Sequence, residues 1–194
     1  MSDDCAKALP VSSSQPPQFP AEQMALFREV LELMERERVP IAVSGAFALH
    51  EHTGIWRDTK DLDLFLTPQD VVHALSVLKR DKFETEVLDT VWLAKARRNG
   101  YFVDLITGMS NGVVRVDSSW VERARPSDVF GTPARVLAPE ELIASKVFVT
   151  RRERFDGADI CHIIHGTRGR FDWERLLDLL DSHSQMLFWY LVLY

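Results

Sequence analysis

The stretch from Ser44 to Leu66, SGAFALHEHTGIWRDTKDLDLFL, sets a glycine at the mouth of a short helix and then, after an Arg-x-Thr-Lys run, two aspartates on an apolar strand. Successive side chains of a strand alternate between faces, so Asp61, Asp63 and Phe65 point one way while Leu62, Leu64 and Leu66 point the other. The two carboxylates then stand roughly 7 Å apart on one face. Ionised carboxylates at that spacing repel each other and cost desolvation, so a positive charge is expected between them. A hard divalent cation fits, because Mg²⁺ takes oxygen ligands and commonly combines one or two protein carboxylates with substrate phosphates.

A third carboxylate, Asp104 in YFVDLI, sits on another apolar strand, with Val103 and Leu105 facing away from it. Three aspartates on adjacent strands would hold two Mg²⁺ ions, which activate an attacking oxygen and neutralise a leaving pyrophosphate. The Ser44-Gly45 turn suits the same chemistry: without a Cβ the backbone approaches a ligand closely, and the helix that follows offers free N–H groups to phosphates. Arg57 and Lys60, flanking Thr59, could add charge against a triphosphate, and could equally be solvated or paired with Asp58. Lys146, amid LIASKVF on an apolar helix, reads as a functional or paired lysine rather than a snorkelling one.

Outward from this stretch, residues 1–20 combine Pro, Ser and Gln with few large apolar side chains and read as a flexible leader. Ala21 to Arg38 carries Met24, Phe27, Val30, Leu31 and Met34 at helical spacing, and Pro40 stops it. IAVSG reads as a short buried strand. Thr67-Pro68-Gln69-Asp70 is expected to start a helix running to about Arg80, with Thr67 as cap. FETEVLD and VWLAKA form an expected hairpin, YFVDLITG a further strand, and VVRVD and ARVLA short strands. From Pro139 the texture becomes helical: Glu140–Arg151, Asp156–His165, Asp172–Asp181 and a last apolar helix through Tyr194. These expectations give an α/β (α+β) fold, a mixed sheet with helices against one face, divided into the leader at 1–20, a core at 21–136 and a helical region at 137–194.

The 29 acidic and 23 basic residues give a net charge of −6, which argues against an extended nucleic-acid backbone as main partner. Two cysteines, Cys5 and Cys161, make no disulfide framework and have no catalytic His-Asp context, so a reducing, cytoplasmic setting is expected. The longest apolar run, Met186 to Tyr194, is far short of the roughly 20 residues a bilayer needs, and reads as core or a dimer contact. His50 and His52 stand two apart and share no helical face, which speaks against zinc, and His162 and His165 read as surface or structural.

SGAFALHEHTGIWRDTKDLDLFL, YFVDLI and LAPEELIASKVFVTRRERFDGADI together resemble the polymerase-β-like nucleotidyltransferase superfamily, and within it the abortive-infection toxin type (AbiEii-like), over about residues 21–180. The resemblance implies two-Mg²⁺ nucleotidyl transfer from an NTP such as ATP to a hydroxyl acceptor on RNA, a protein or a small molecule. It matches Asp61, Asp63 and Asp104 to the catalytic, metal-binding carboxylates, and Ser44, Gly45 and Lys146 to nucleotide binding; Arg57, Thr59 and Lys60, in the lead-in to the strand, are expected to join them there. Asp156 to Asp159 match the aspartates that organise the helical part. Ala46 departs from the family pattern, where a second small hydroxyl residue is common. A toxin–antitoxin role with a partner protein, a homo-oligomer, and, in another class, a catalytically inactive nucleotide-binding or protein-interaction module of the same fold all follow as readings of that likeness.

Overall fold

A computed structural model describes residues 18–110, 112–151 and 154–193. Most of the expected leader, Cys5 included, lies outside the described residues. Phe19, within that stretch, packs its ring 5.9 Å from Phe47 and 4.9 Å from Phe130.

The first helix, α1 (Ala21–Arg36), forms because its apolar residues recur every three or four positions, and it buries Phe27, Val30 and Met34 completely. It ends two residues earlier than the spacing suggests, with Arg38 taking a positive φ of 56° before Pro40. A two-residue strand, β1 (Ala42–Val43), leads into α2 (Gly45–Thr53), and β2 (Asp61–Phe65) returns antiparallel beside it.

Thr67 does not cap a helix. Its hydroxyl donates to Asp70 Oδ2 at 2.6 Å, residues 67–70 close as a turn, and α3 (Val71–Arg80) starts three residues after Pro68. Strands β3 (Glu84–Asp89), β4 (Leu93–Arg98) and β5 (Tyr101–Ile106) then form an antiparallel meander, the second hairpin turning at Asn99-Gly100. Both turn residues have positive φ, 54° and 82°, as a tight hairpin requires.

VVRVD makes only an isolated bridge, Gly108 to Arg115. The short helix α4 (Ser118–Glu122) follows, capped by the Asp117 carboxylate, which accepts from Ser119 N at 2.9 Å. An unforeseen strand, β6 (Arg125–Val129), pairs with β7 (Thr132–Val136). Its Pro126 and Asp128 hide the strand signal, and both are tolerated because β6 is an edge strand.

The seven strands run β3-β4-β5-β2-β1-β7-β6, with parallel pairing at β5/β2 and β1/β7. Leu62, Leu64 and Leu66 are wholly buried, as are Val103 and Leu105 opposite them. Helices do not keep to one face, because Trp120 of α4 stacks on Phe65, whose side chain shares its face with Asp61 and Asp63. That far end of the aspartate face is therefore closed.

The helical remainder comprises α5 (Pro139–Val147), a two-residue pair β8 (Thr150–Arg151) and β9 (Arg154–Phe155), α6 (Gly157–Gly166), α7 (Trp173–Leu180) and α8 (Ser184–Leu193); α5 and α7 are shorter than expected, and α6 has the expected length, shifted by one residue. The whole of α5 is buried, including Glu140, Glu141 and Lys146, so each charge on it must find a partner. Glu141 faces Arg175 Nε at 3.1 Å and Arg123 Nε at 3.5 Å, which joins α5 to α7 and to the end of α4. Burial pushes the Glu141 carboxyl above its ordinary value against the pull of Arg175. Tyr190 of α8 closes the bundle by donating from its hydroxyl to Val147 O at 2.9 Å.

Candidate active site

Strand register builds the site. In the parallel pair β2/β5, Asp63 stands beside Asp104, and Asp61 beside Phe102. In the antiparallel pair β4/β5, Asp104 stands beside Lys95. Residues paired across strands share a face, so Lys95, Asp104 and Asp63 form one row across the sheet, with Asp61 one step along β2.

Gly45 closes the row from above as the first residue of α2. Its φ is +60°, and a Cβ placed on it would fall 2.0 Å from Asp63 Oδ2. A side chain there would have to push the Asp63 carboxylate aside. The Ser44 amide donates to Asp63 O at 2.9 Å, so the turn and the strand are locked to each other. Ser44 itself is buried and makes no side-chain cap to the helix.

The remaining expected residues sort themselves by partner. Thr59 Oγ1 lies 2.9 Å from Asp61 O and 3.0 Å from Asp61 Oδ1, so the lead-in to β2 holds the first aspartate in place. Arg57 pairs with Asp159 of α6, Nη2 to Oδ1 at 2.5 Å, and not with its neighbour Asp58. Lys146 donates from Nζ to Asp159 Oδ2 at 2.8 Å and Asp156 Oδ2 at 3.1 Å. Lys60 is exposed.

These side chains surround a cavity of about 510 Å³, whose walls include Gly45, Arg57, Asp61, Asp63, Asp104 and Lys146. A smaller cavity of about 210 Å³, walled by Phe65, Trp92 and Phe148, meets it at Gly45, Asp63, Asp104, Lys146 and Asp156. Asp63, Asp104 and Asp156 therefore lie on the walls of both cavities.

Lys95 escaped the sequence reading. Its Nζ lies 2.9 Å from Asp104 Oδ1 and 4.9 Å above the centre of the Phe102 ring, and both side chains of the ion pair are largely shielded, at 22% and 14% exposure. The signal was present: an Asn-Gly pair at residues 99–100 marks a two-residue hairpin turn, and counting back across it sets Lys95 opposite Asp104. Burial pushes the Asp104 carboxyl above its ordinary 3.8; the hydrogen bond and charge of Lys95 pull the other way, and the nearby Asp61 charge adds to the rise.

Among the described residues no three His, Cys, Asp or Glu side chains gather closely enough to hold a metal ion. Asp61 and Asp63 are nonetheless hard oxygen donors on one face, opening on a polar cavity beside a helix N-terminus, and such donors fit Mg²⁺ that completes its shell with phosphate oxygens. The histidines serve the scaffold: His50 stacks on Trp56 at 4.1 Å, and His52 Nε2 lies 2.8 Å from Leu137 O, to which it must donate.

Solved structures share this architecture at low sequence identity. The solution structure of the antibiotic-resistance factor ANT(2'')-Ia matches with a TM-score of 0.60 at 15% identity, over 90% of this chain and 96% of that one. The crystal structure of ANT(2'')-Ia with adenylyl-2''-tobramycin gives 0.58 at 13%, over 84% and 98%. Lincomycin-bound LnuA, a lincosamide antibiotic adenylyltransferase, gives 0.51 at 15%, over 77% and 98%. At such identities the likeness establishes the fold. No curated protein matches by sequence. The model of one family does match, over residues 23–177, and this places the chain: it belongs to the family described as nucleotidyl transferase of unknown function (DUF2204), and is a nucleotidyltransferase.

Proposed function

We propose that this protein transfers an NMP from a Mg²⁺-bound NTP to a hydroxyl acceptor in the cavity between β2/β5 and α5/α6. One observation carries the reading: Gly45 approaches Asp63 so closely that a Cβ would displace the carboxylate, directly where Asp63 and Asp104 stand side by side. A backbone pressed against a carboxylate at a helix N-terminus suits a ligand that needs amides and acidic oxygens together, which a metal–triphosphate complex does. Bound Mg²⁺ would supply charge neutralisation for the phosphates, held by Asp61 and Asp63.

The protein's own groups then have separate tasks. The amides at the start of α2 receive the triphosphate. Asp104, last carboxylate of the row, accepts the acceptor's proton as the hydroxyl oxygen bonds to the α-phosphorus. The bond from the α-phosphorus to its bridging oxygen breaks, and the electron pair leaves on pyrophosphate. Arg57, Lys146, Asp156 and Asp159 tie the strand lead-in to α5 and α6 and so set the width of the cavity.

The acceptor class and the toxin reading belong to the same proposal. Incubating the protein with each α-labelled NTP and Mg²⁺, with lysate, RNA and small hydroxylated molecules as acceptors, tests it. Label transfer with pyrophosphate release is the expected result. Nucleotide binding with no transfer to any acceptor would instead favour an inactive binding module. Growth arrest on expression of the wild type, absent for Asp63→Asn, is the outcome expected of a toxin.

A further inference from the structure

The expected pattern of three acidic strand positions called for two metal ions, yet the third carboxylate already faces a cation. Lys95 Nζ sits 2.9 Å from Asp104 Oδ1, shielded from solvent and set over the Phe102 ring. Its position is dictated by backbone register, not by a mobile loop: Lys95 pairs with Asp104, and Asp104 with Asp63, in adjacent ladders of the same sheet. In this row of one ammonium and two carboxylates, with Asp61 beside it, the ammonium sits on Asp104.

We infer that Lys95 stands in for the second metal ion, so that this chain takes one divalent cation, on Asp61 and Asp63, and relies on a fixed ammonium at Asp104. This rests on the nucleotidyltransferase reading above. An ammonium within hydrogen-bonding distance of a carboxylate oxygen repels a dication that would use the same carboxylate, and the repulsion is strong where both groups are shielded from water. Lys95 also fixes the Asp104 carboxylate in place through Oδ1. The Phe102 ring, 4.9 Å beneath the ammonium, attracts its charge and helps hold it in place. Lys95 is a positioning residue in this account.

The test counts ions. Mn²⁺ binding to the full chain is measured by electron paramagnetic resonance and by calorimetry, with a nucleotide analogue whose α–β bridge is a methylene, so that no turnover occurs. Wild type is expected to bind a single Mn²⁺ per chain at saturation with the analogue. Lys95→Met, which keeps much of the stem and removes the charge, is expected to bind two, and Lys95→Arg to return the count to one. A wild type that binds two ions with the analogue overturns the inference, and that measurement needs no variant to fold. An unchanged count of one in folded Lys95→Met also overturns it. A wild type that binds neither Mn²⁺ nor analogue overturns the nucleotidyltransferase reading itself, and is told apart from failure of the Lys95 inference by the absence of any nucleotide signal.

Discussion

At Gly45 two demands meet in one residue: a left-handed backbone and an empty place where a Cβ would be. The two can be separated by comparison with Gly54, which ends α2 at φ +70° with nothing within 4 Å of its would-be Cβ. Gly54→Ala is expected to cost only the conformational penalty of roughly 1–2 kcal/mol for a left-handed alanine. Gly45→Ala carries that penalty and must also displace Asp63, so its thermal midpoint should fall further, and its nucleotide-dependent stabilisation should vanish. Equal midpoints for the two variants, by calorimetry, would show that the contact with Asp63 is without consequence. Asp63→Asn asks the complementary question. The shape is kept while a charged oxygen is lost, so the fold should persist and labelled transfer should drop by at least about a hundredfold, the order that general acid–base or metal-ligand groups contribute. Retained transfer in Asp63→Asn would remove the aspartate pair from the proposed chemistry.

At the scale of elements, buried charges decide how the helices are fastened to the sheet. His52 joins α2 to the segment after β7 through Leu137 O, and burial pulls its pKa below the ordinary 6.5. The folded chain then holds that proton less tightly than the unfolded chain. Its contribution to stability is full above pH 6.5 and is lost as the pH falls through the window between 6.5 and the depressed folded value. Thermal midpoints of wild type and His52→Gln, measured across this window, should converge as pH falls, because glutamine can donate to the same carbonyl without gaining charge. Parallel curves would assign the acid sensitivity elsewhere. The α5–α7 junction is a harsher case, since the Glu141 side chain is wholly buried. Arg175→Met should cost about 3 kcal/mol, the low end for breaking a buried pair, because Arg123 stays nearby. Adding Glu141→Leu should recover much of that loss in chemical denaturation, as removing both charges ends the burial of an unpaired one.

For the whole molecule, the proposed site is a seam. Its walls come from β2 and β5 of the sheet and from α5 and α6 of the helical part, bridged by Arg57 to Asp159. A ligand that binds only the folded state stabilises it by RT ln(1 + [L]/Kd), about 2.7 kcal/mol at a hundredfold excess over Kd. Mg²⁺ and NTP together should therefore raise the thermal midpoint more than either alone. Hydrogen exchange should slow in α5 and α6 as well as at the start of α2. Protection confined to α2 would mean that the helical part takes no share in the nucleotide site. Among the described residues no helix is long and apolar enough to cross a membrane. In the apolar run at the end of α8, Leu187 and Tyr190 are buried in the core, and Phe188, Trp189 and Val192 are exposed.

By itself the sequence determined the parts of this protein that depend on local spacing. Alternation set Asp61 and Asp63 on one face of β2, helical periodicity set α1, and the absence of a Cβ at residue 45 marked the turn that meets Asp63. Local rules also carried one fact that went unread, the Asn-Gly turn that pairs Lys95 with Asp104. What the tertiary structure alone decided depends on contacts between distant segments. Strand β6 exists because an edge position tolerates Pro126, and α3 starts late because Thr67 spends its hydroxyl on Asp70. Arg57 found Asp159 instead of the adjacent Asp58, and Lys146 found the same aspartate from another helix. No spacing rule selects such partners. A charge on a surface loop and one on a buried helix are drawn together only when packing removes the water between them, and packing is a property of the assembled chain.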